Sequence, residues 1–145
     1  MDVEARKKIG AKLLSAAKEA TQKEAEMIKN EKQPTYEFVF EHVRAYVLSK
    51  FLLPPDCEEE NIKGLATLSL AKTMKLDKNV IHDLDTATPC DHATSESTKK
   101  VLLLYAVQKD MELNPDPEGI SRVQTVTELA QYVLEARKKV IQENA

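Results

Sequence analysis

The chain has 145 residues, 42 % of them apolar and 31 % charged, with a formal net charge of −3. That length suits one domain with a real hydrophobic core, and the mildly acidic balance lacks the basic footprint of a nucleic-acid binder. The longest apolar stretch, Val101 to Val107, falls far short of the roughly 20 residues that cross a bilayer, and the polar start from Asp2 to Lys8 leads into no secretory segment; a cytoplasmic protein is expected, with no membrane and no nucleic-acid partner.

The first element is a predicted helix over about 3–32. Ile9, Leu13, Ala16, Ala20 and Met27 recur at three-, four- and seven-residue spacing and define its expected inner face. This thin, alanine-rich stripe suits docking on the body of the protein or pairing with a second copy, a homodimer through the N-terminal helix. Pro34 breaks the pattern. A second helix is predicted from about Thr35 to Phe51, with Val39, Val43, Tyr46, Val47 and Phe51 inward. Asp56-Cys57-Glu58-Glu59 reads as the start of a third, an aspartate cap followed by early carboxylates. It would run to about Leu76 with Ile62, Leu65, Leu68 and Ala71 inward.

After the short apolar piece Val80-Ile81-His82-Asp83-Leu84 comes an irregular stretch, Asp85 to Glu96, rich in Thr, Asp and Ser. Loops of about a dozen residues inside compact domains are often functional. A fourth helix is predicted over about Thr98 to Glu112, with Val101, Leu104, Val107 and Met111 on one face, widened by Leu103, and Lys99, Lys100 and Lys109 on the outer one. The proline-broken loop Asn114 to Gly119 separates it from a fifth, which opens on the capping box Thr125-Val126-Thr127-Glu128. Leu129, Val133 and Ala136 face inward there, and Arg137-Lys138-Lys139 suit the negative end of the helix dipole. No segment alternates persuasively as a strand, so the fold class is all-α, a bundle of about five helices.

The order Ser97, apolar helix to Val107, proline-containing acidic loop and second helix with Thr125-Val126 and Tyr132-Val133 resembles the second half of an acyl or peptidyl carrier protein. Val80 to Leu84 is similar to that family's apolar-x-x-Asp-Leu segment, and the helix around Thr35 to Leu53 corresponds to its first. The resemblance covers about half of the chain. Residues 1–32 are then an N-terminal amphipathic extension, and residues 33–145 the carrier-like helical domain. It implies phosphopantetheine on Ser97, with Ser95 as second choice, and arm or docking contacts at Leu84, Lys99, Lys100, Val101 and Leu104. It also implies partner enzymes of acyl or aminoacyl transfer and no catalysis by the chain itself. The sequence departs from the family at Glu96-Ser97-Thr98, which replaces Asp-Ser-Leu, and in the longer connection from Leu84 to Ser97. It departs again in the lysines after the serine, where typical carriers are acidic. A degenerate carrier fold serving as a helical adaptor or regulatory subunit without a prosthetic group is the rival reading. Physically, a serine at a helix start either carries a phosphodiester in the positive end of the dipole or simply caps the helix.

Two cysteines are present, Cys57 and Cys90, and without a secretory signal both read as reduced thiols. Cys90 has His92 two residues away, which could activate it as a reactive thiol; the alternative is an ordinary loop cysteine. With His82 these residues offer at most three donors and no Cys-x-x-Cys pair, so no metal is expected. Three well-separated glycines leave no Gly-rich phosphate loop.

Overall fold

The computed structural model describes residues 3–76 and 96–144. Among them it contains six α-helices: α1 Val3–Asn30, α2 Tyr36–Lys50, α3 Ile62–Leu76, α4 Glu96–Asp110, α5 Pro117–Ser121 and α6 Val126–Glu143. The expected all-α bundle is therefore observed. Among the described residues no helix is long and apolar enough to cross a membrane.

Thr35 caps α2 by accepting from the Phe38 amide at 3.2 Å. Val39, Val43, Tyr46 and Val47 then recur on one face and are completely buried, and Phe51 follows them inward. This stripe is the centre of the core: α1 packs along one side of α2 and α6 along another. Leu129, Ala130, Val133 and Leu134 supply the facing surface of α6. Each such side chain contributes about 1.5–3 kcal/mol by leaving water.

Among the described side chains of α1, which begin at Ala11 and so leave out the expected Ile9, the core contacts come from the second half. Thr21, Ala25 and Ile28 are buried, whereas Leu13, Ala16 and Met27 of the expected stripe are exposed. An alanine-rich stripe carries little preference of its own, and contact with α2 selects a different face. The third helix also differs from expectation. Asp56 to Glu60 are not helical, and α3 starts at Ile62 with the Asn61 side chain accepting from the Gly64 amide at 3.1 Å. The reason is tertiary. Glu60 to Ile62 pair with Gln124 to Val126 in a short antiparallel bridge, Ile62 donating to the Gln124 carbonyl and Val126 to that of Glu60, both at 2.9 Å. A helical turn cannot hold those groups as well. Among the described side chains of α3, Ile62, Leu65, Ala66 and Ser69 are buried; Leu68 and Ala71, expected inward, are exposed. Cys57 is half-buried against the core.

The Asn114–Gly119 region holds a helix that periodicity did not reveal. Asp116 caps α5 by accepting from the Gly119 amide at 3.1 Å, and Pro117 is its first residue. Thr125 caps α6 as expected, accepting from the Glu128 amide at 3.1 Å. Arg137 does not serve the end of its own helix, which continues to Glu143. It is buried and donates to backbone carbonyls of α1 and of the residue following α4. Both α2 and α4 end on a left-handed residue, Leu52 at φ 58° and Glu112 at φ 53°. The bonds Leu53 to Leu48 carbonyl (2.8 Å) and Leu113 to Gln108 carbonyl (2.9 Å) close the two ends as Schellman motifs.

Candidate site at the start of the fourth helix

Helix α4 lies on α3, and its first turn holds the serine singled out in the sequence. The helix begins at Glu96, two residues earlier than expected, so Ser97 is its second residue rather than the residue before it. Ser97 is exposed. Glu96 complements the positive end of the dipole and accepts from the Thr67 hydroxyl of α3 at 3.4 Å.

The buried face of α4 follows expectation except at Val101. Leu103, Leu104, Val107 and Met111 are buried, while Val101, expected inward, is 64 % exposed. Leu102 and Tyr105 are exposed beside it. Ser97, Val101 and Tyr105 are spaced by four residues and share one outward face. The stretch Val101 to Tyr105 is apolar in all directions, so its own periodicity permits several orientations, and packing on α3 selects one.

Lys99 takes the inward position one turn before Leu103. Its Nζ lies 5.5 Å from the centre of the Phe51 ring and donates to Ser69 Oγ at 3.2 Å; Ser69 in turn donates to the Phe51 carbonyl at 2.8 Å. Burial lowers the Lys99 pKa from the usual lysine value. Lys72 donates to the Leu52 carbonyl at 2.6 Å. Two lysines and one hydroxyl thus gather around the carboxyl end of α2, where the dipole favours positive charge. Lys99 is not on the outer face that the sequence suggested; its stem runs along apolar surface and its ammonium group reaches the α2 terminus. Lys100 is half-buried and Leu104 buried.

The remaining residues singled out, Leu84, Cys90, His92 and Ser95, lie outside the described residues, as does the Val80–Leu84 segment. Within the described part, α4 therefore brings Ser97 and Val101 together on one face and separates them from Lys99 and Leu104. Sequence reasoning missed the exposed pair Leu102 and Tyr105; the four-residue step from Ser97 through Val101 to Tyr105 was the available signal. No protein-family model, curated protein or solved structure matches the chain.

Proposed function

We propose that the protein is a carrier-like helical module that presents a group on Ser97 and docks a partner enzyme through the outer face of α4. The observation that carries this reading is the exposure of Ser97 on the first turn of a 15-residue helix, in line with exposed Val101 and Tyr105. The resemblance of Ser97–Val133 to carrier proteins supports the same reading.

The exposed position of Ser97 in the first turn supports its reading as a phosphopantetheine attachment point. The first amides of an α-helix lack intrahelical acceptors and stand at the positive end of the dipole, which favours a phosphodiester on a first-turn hydroxyl. When bound, the group supplies a mobile thiol that holds an acyl or aminoacyl cargo as a thioester. Ser97 would be the point of attachment, and Val101, Leu102 and Tyr105 would offer apolar contact to an approaching enzyme. Lys99, committed to Ser69 and the α2 terminus, would fix the orientation of the first turn instead of meeting the cargo. The chain itself contributes no step of bond making.

A second reading rests on the same exposed face. Val101, Leu102 and Tyr105 can dock a partner without any group on Ser97, as an adaptor or regulatory subunit would.

The deciding experiment is the intact mass after incubation with coenzyme A and a broad-specificity phosphopantetheinyl transferase, with Ser97→Ala and Ser95→Ala in parallel. A gain of one phosphopantetheine, lost only in Ser97→Ala, is the expected result. No gain with several transferases of different specificity would remove the arm and leave the adaptor reading.

A further inference from the structure

Among the described residues, the first half of α1 runs past the end of α2. His42 Nδ1 of α2 lies 2.5 Å from Glu24 Oε2 of α1, which sets the antiparallel register of the two helices. Helix α2 ends at Lys50, so its end faces α1 near Ala16. Residues before Ala16 have no counterpart on α2, and at 1.5 Å per residue they extend about 20 Å further. Accordingly Leu14 is 63 % and Leu13 44 % exposed. Leu14 is spaced by seven from Thr21 and by fourteen from Ile28, so it continues the face that those buried residues dock on the bundle.

The sequence before Ala16 holds Arg6, Lys7, Lys8 and Lys12 against Asp2 and Glu4. The carboxyl end of α2, which it passes, leads into a connection of opposite sign. Between Phe51 and Asn61 stand Asp56, Glu58, Glu59 and Glu60 with no lysine or arginine, all four residues exposed; Arg44 of α2 donates to the Pro55 and Cys57 carbonyls, and Glu60 accepts from Thr127, which leaves Asp56, Glu58 and Glu59 as the outward charges. The same connection offers apolar surface at half-buried Leu53 and exposed Pro54 and Pro55. One end of the molecule therefore carries both a basic, leucine-bearing helix and an acidic, proline-bearing loop. A two-fold contact uses the same surface on both copies and so requires a surface that complements itself. Pairing the overhangs with each other would instead oppose their cations.

We infer that two copies of this chain associate end to end about a two-fold axis, each laying the leading half of α1 against the other's Pro54–Glu60 loop. Charge brings the two together and gives the register, while Leu13 and Leu14 cover the prolines. The contact is sensitive to salt, because its charges are at the surface. It stands independently of any group on Ser97.

The test is sedimentation velocity of the full chain over a range of concentrations, at low and high salt. Two reversal variants accompany it, Lys8→Glu/Lys12→Glu and Glu58→Lys/Glu59→Lys, with circular dichroism to check their helix content. A dimer is expected for the wild type, weakened by salt and weakened about tenfold in Kd or more by either reversal. An equimolar mixture of the two variants should recover it, since each reversed helix then meets a reversed loop and each native helix a native loop. A wild-type monomer at every concentration in low salt would overturn the inference. So would a dimer that neither reversal weakens, two weakened variants whose mixture fails to recover, or open-ended growth with concentration. Leu14→Glu, on an exposed position, gives a second reading: weakened pairing is expected, and undiminished pairing counts against the contact.

Discussion

Arg137 donates from one guanidinium nitrogen to the Lys29 carbonyl at 3.0 Å, and from another to the Met111 carbonyl at 3.2 Å. Lys29 lies in the last turn of α1 and Met111 directly follows α4. One buried cation therefore satisfies carbonyls at the negative ends of two helices and holds both against α6. Only a planar fork reaches two such acceptors at once. Arg137→Met should cost about 3 kcal/mol, because it leaves two carbonyls at the buried helix ends without their donor. Arg137→Lys should recover only part of this. Urea melts of the three proteins check the order.

Tyr46 is buried and donates to Asp110 Oδ2 at 2.7 Å, joining the centre of α2 to the end of α4. Burial, with the Asp110 carboxylate beside it, raises the phenol far above its usual value of 10.0. The unfolded chain loses that proton near the usual value and the folded chain does not. Stability is therefore fully present below about pH 10 and falls as the pH rises above it. Tyr46→Phe should cost about 1–2 kcal/mol at neutral pH through the unpaired carboxylate. It should also reduce the alkaline fall, which denaturation at a series of pH values would reveal. A fall identical in the variant would contradict the assignment.

Lys99 gives the opposite sign. Its pKa is lowered by burial, so the folded chain releases the proton at a lower pH than the unfolded chain. Between the lowered value and the usual 10.5 the unfolded state binds more protons, and this group's contribution to stability rises with pH there. Lys99→Met keeps the apolar stem and removes the partly desolvated charge. It should raise stability at neutral pH slightly and remove the rise. A destabilised variant would show that the contacts with Phe51 and Ser69 outweigh desolvation.

The setting of α4 is tested by two neighbours in sequence. Val101 is 64 % exposed and Leu104 only 4 %. Val101→Ser should change stability by about 0.5 kcal/mol or less, whereas Leu104→Ala should cost about 2–4 kcal/mol. Equal costs would restore the inward position of Val101. If the outer face docks a partner enzyme, Val101→Ser and Tyr105→Ser should weaken that contact while leaving the melting curve in place.

Where one face of a segment is decisively apolar, local pattern and tertiary structure agree. Val39, Val43, Tyr46 and Val47 identify the inner face of α2 without ambiguity, and Thr125 with Glu128 marks the start of α6. The all-α class follows from several such segments. Where the pattern is weak or apolar all round, neighbours decide. The alanine-rich stripe of α1 yields to Thr21, Ala25 and Ile28, and in α4 Val101 is left outside while Lys99 takes an inward position. The start of α3 moves from Asp56 to Ile62 because distant backbone at Gln124–Val126 takes the hydrogen bonds that a helix would use.

The same division holds for the candidate site. Ser97 is recognisable from its place at the start of an apolar helix, because helix starts select short polar side chains. Its alignment with Val101 and Tyr105 depends on the rotation of α4, which is decided by contact with α3. By itself the sequence determined the helical class, the core stripe of α2 and the cap of α6, since these rest on spacing and on hydrogen bonds within a few residues. The tertiary structure decided which face of α1 and α4 is covered and what Arg137 and Lys99 are bonded to. Those outcomes depend on groups that folding brings together from distant parts of the chain.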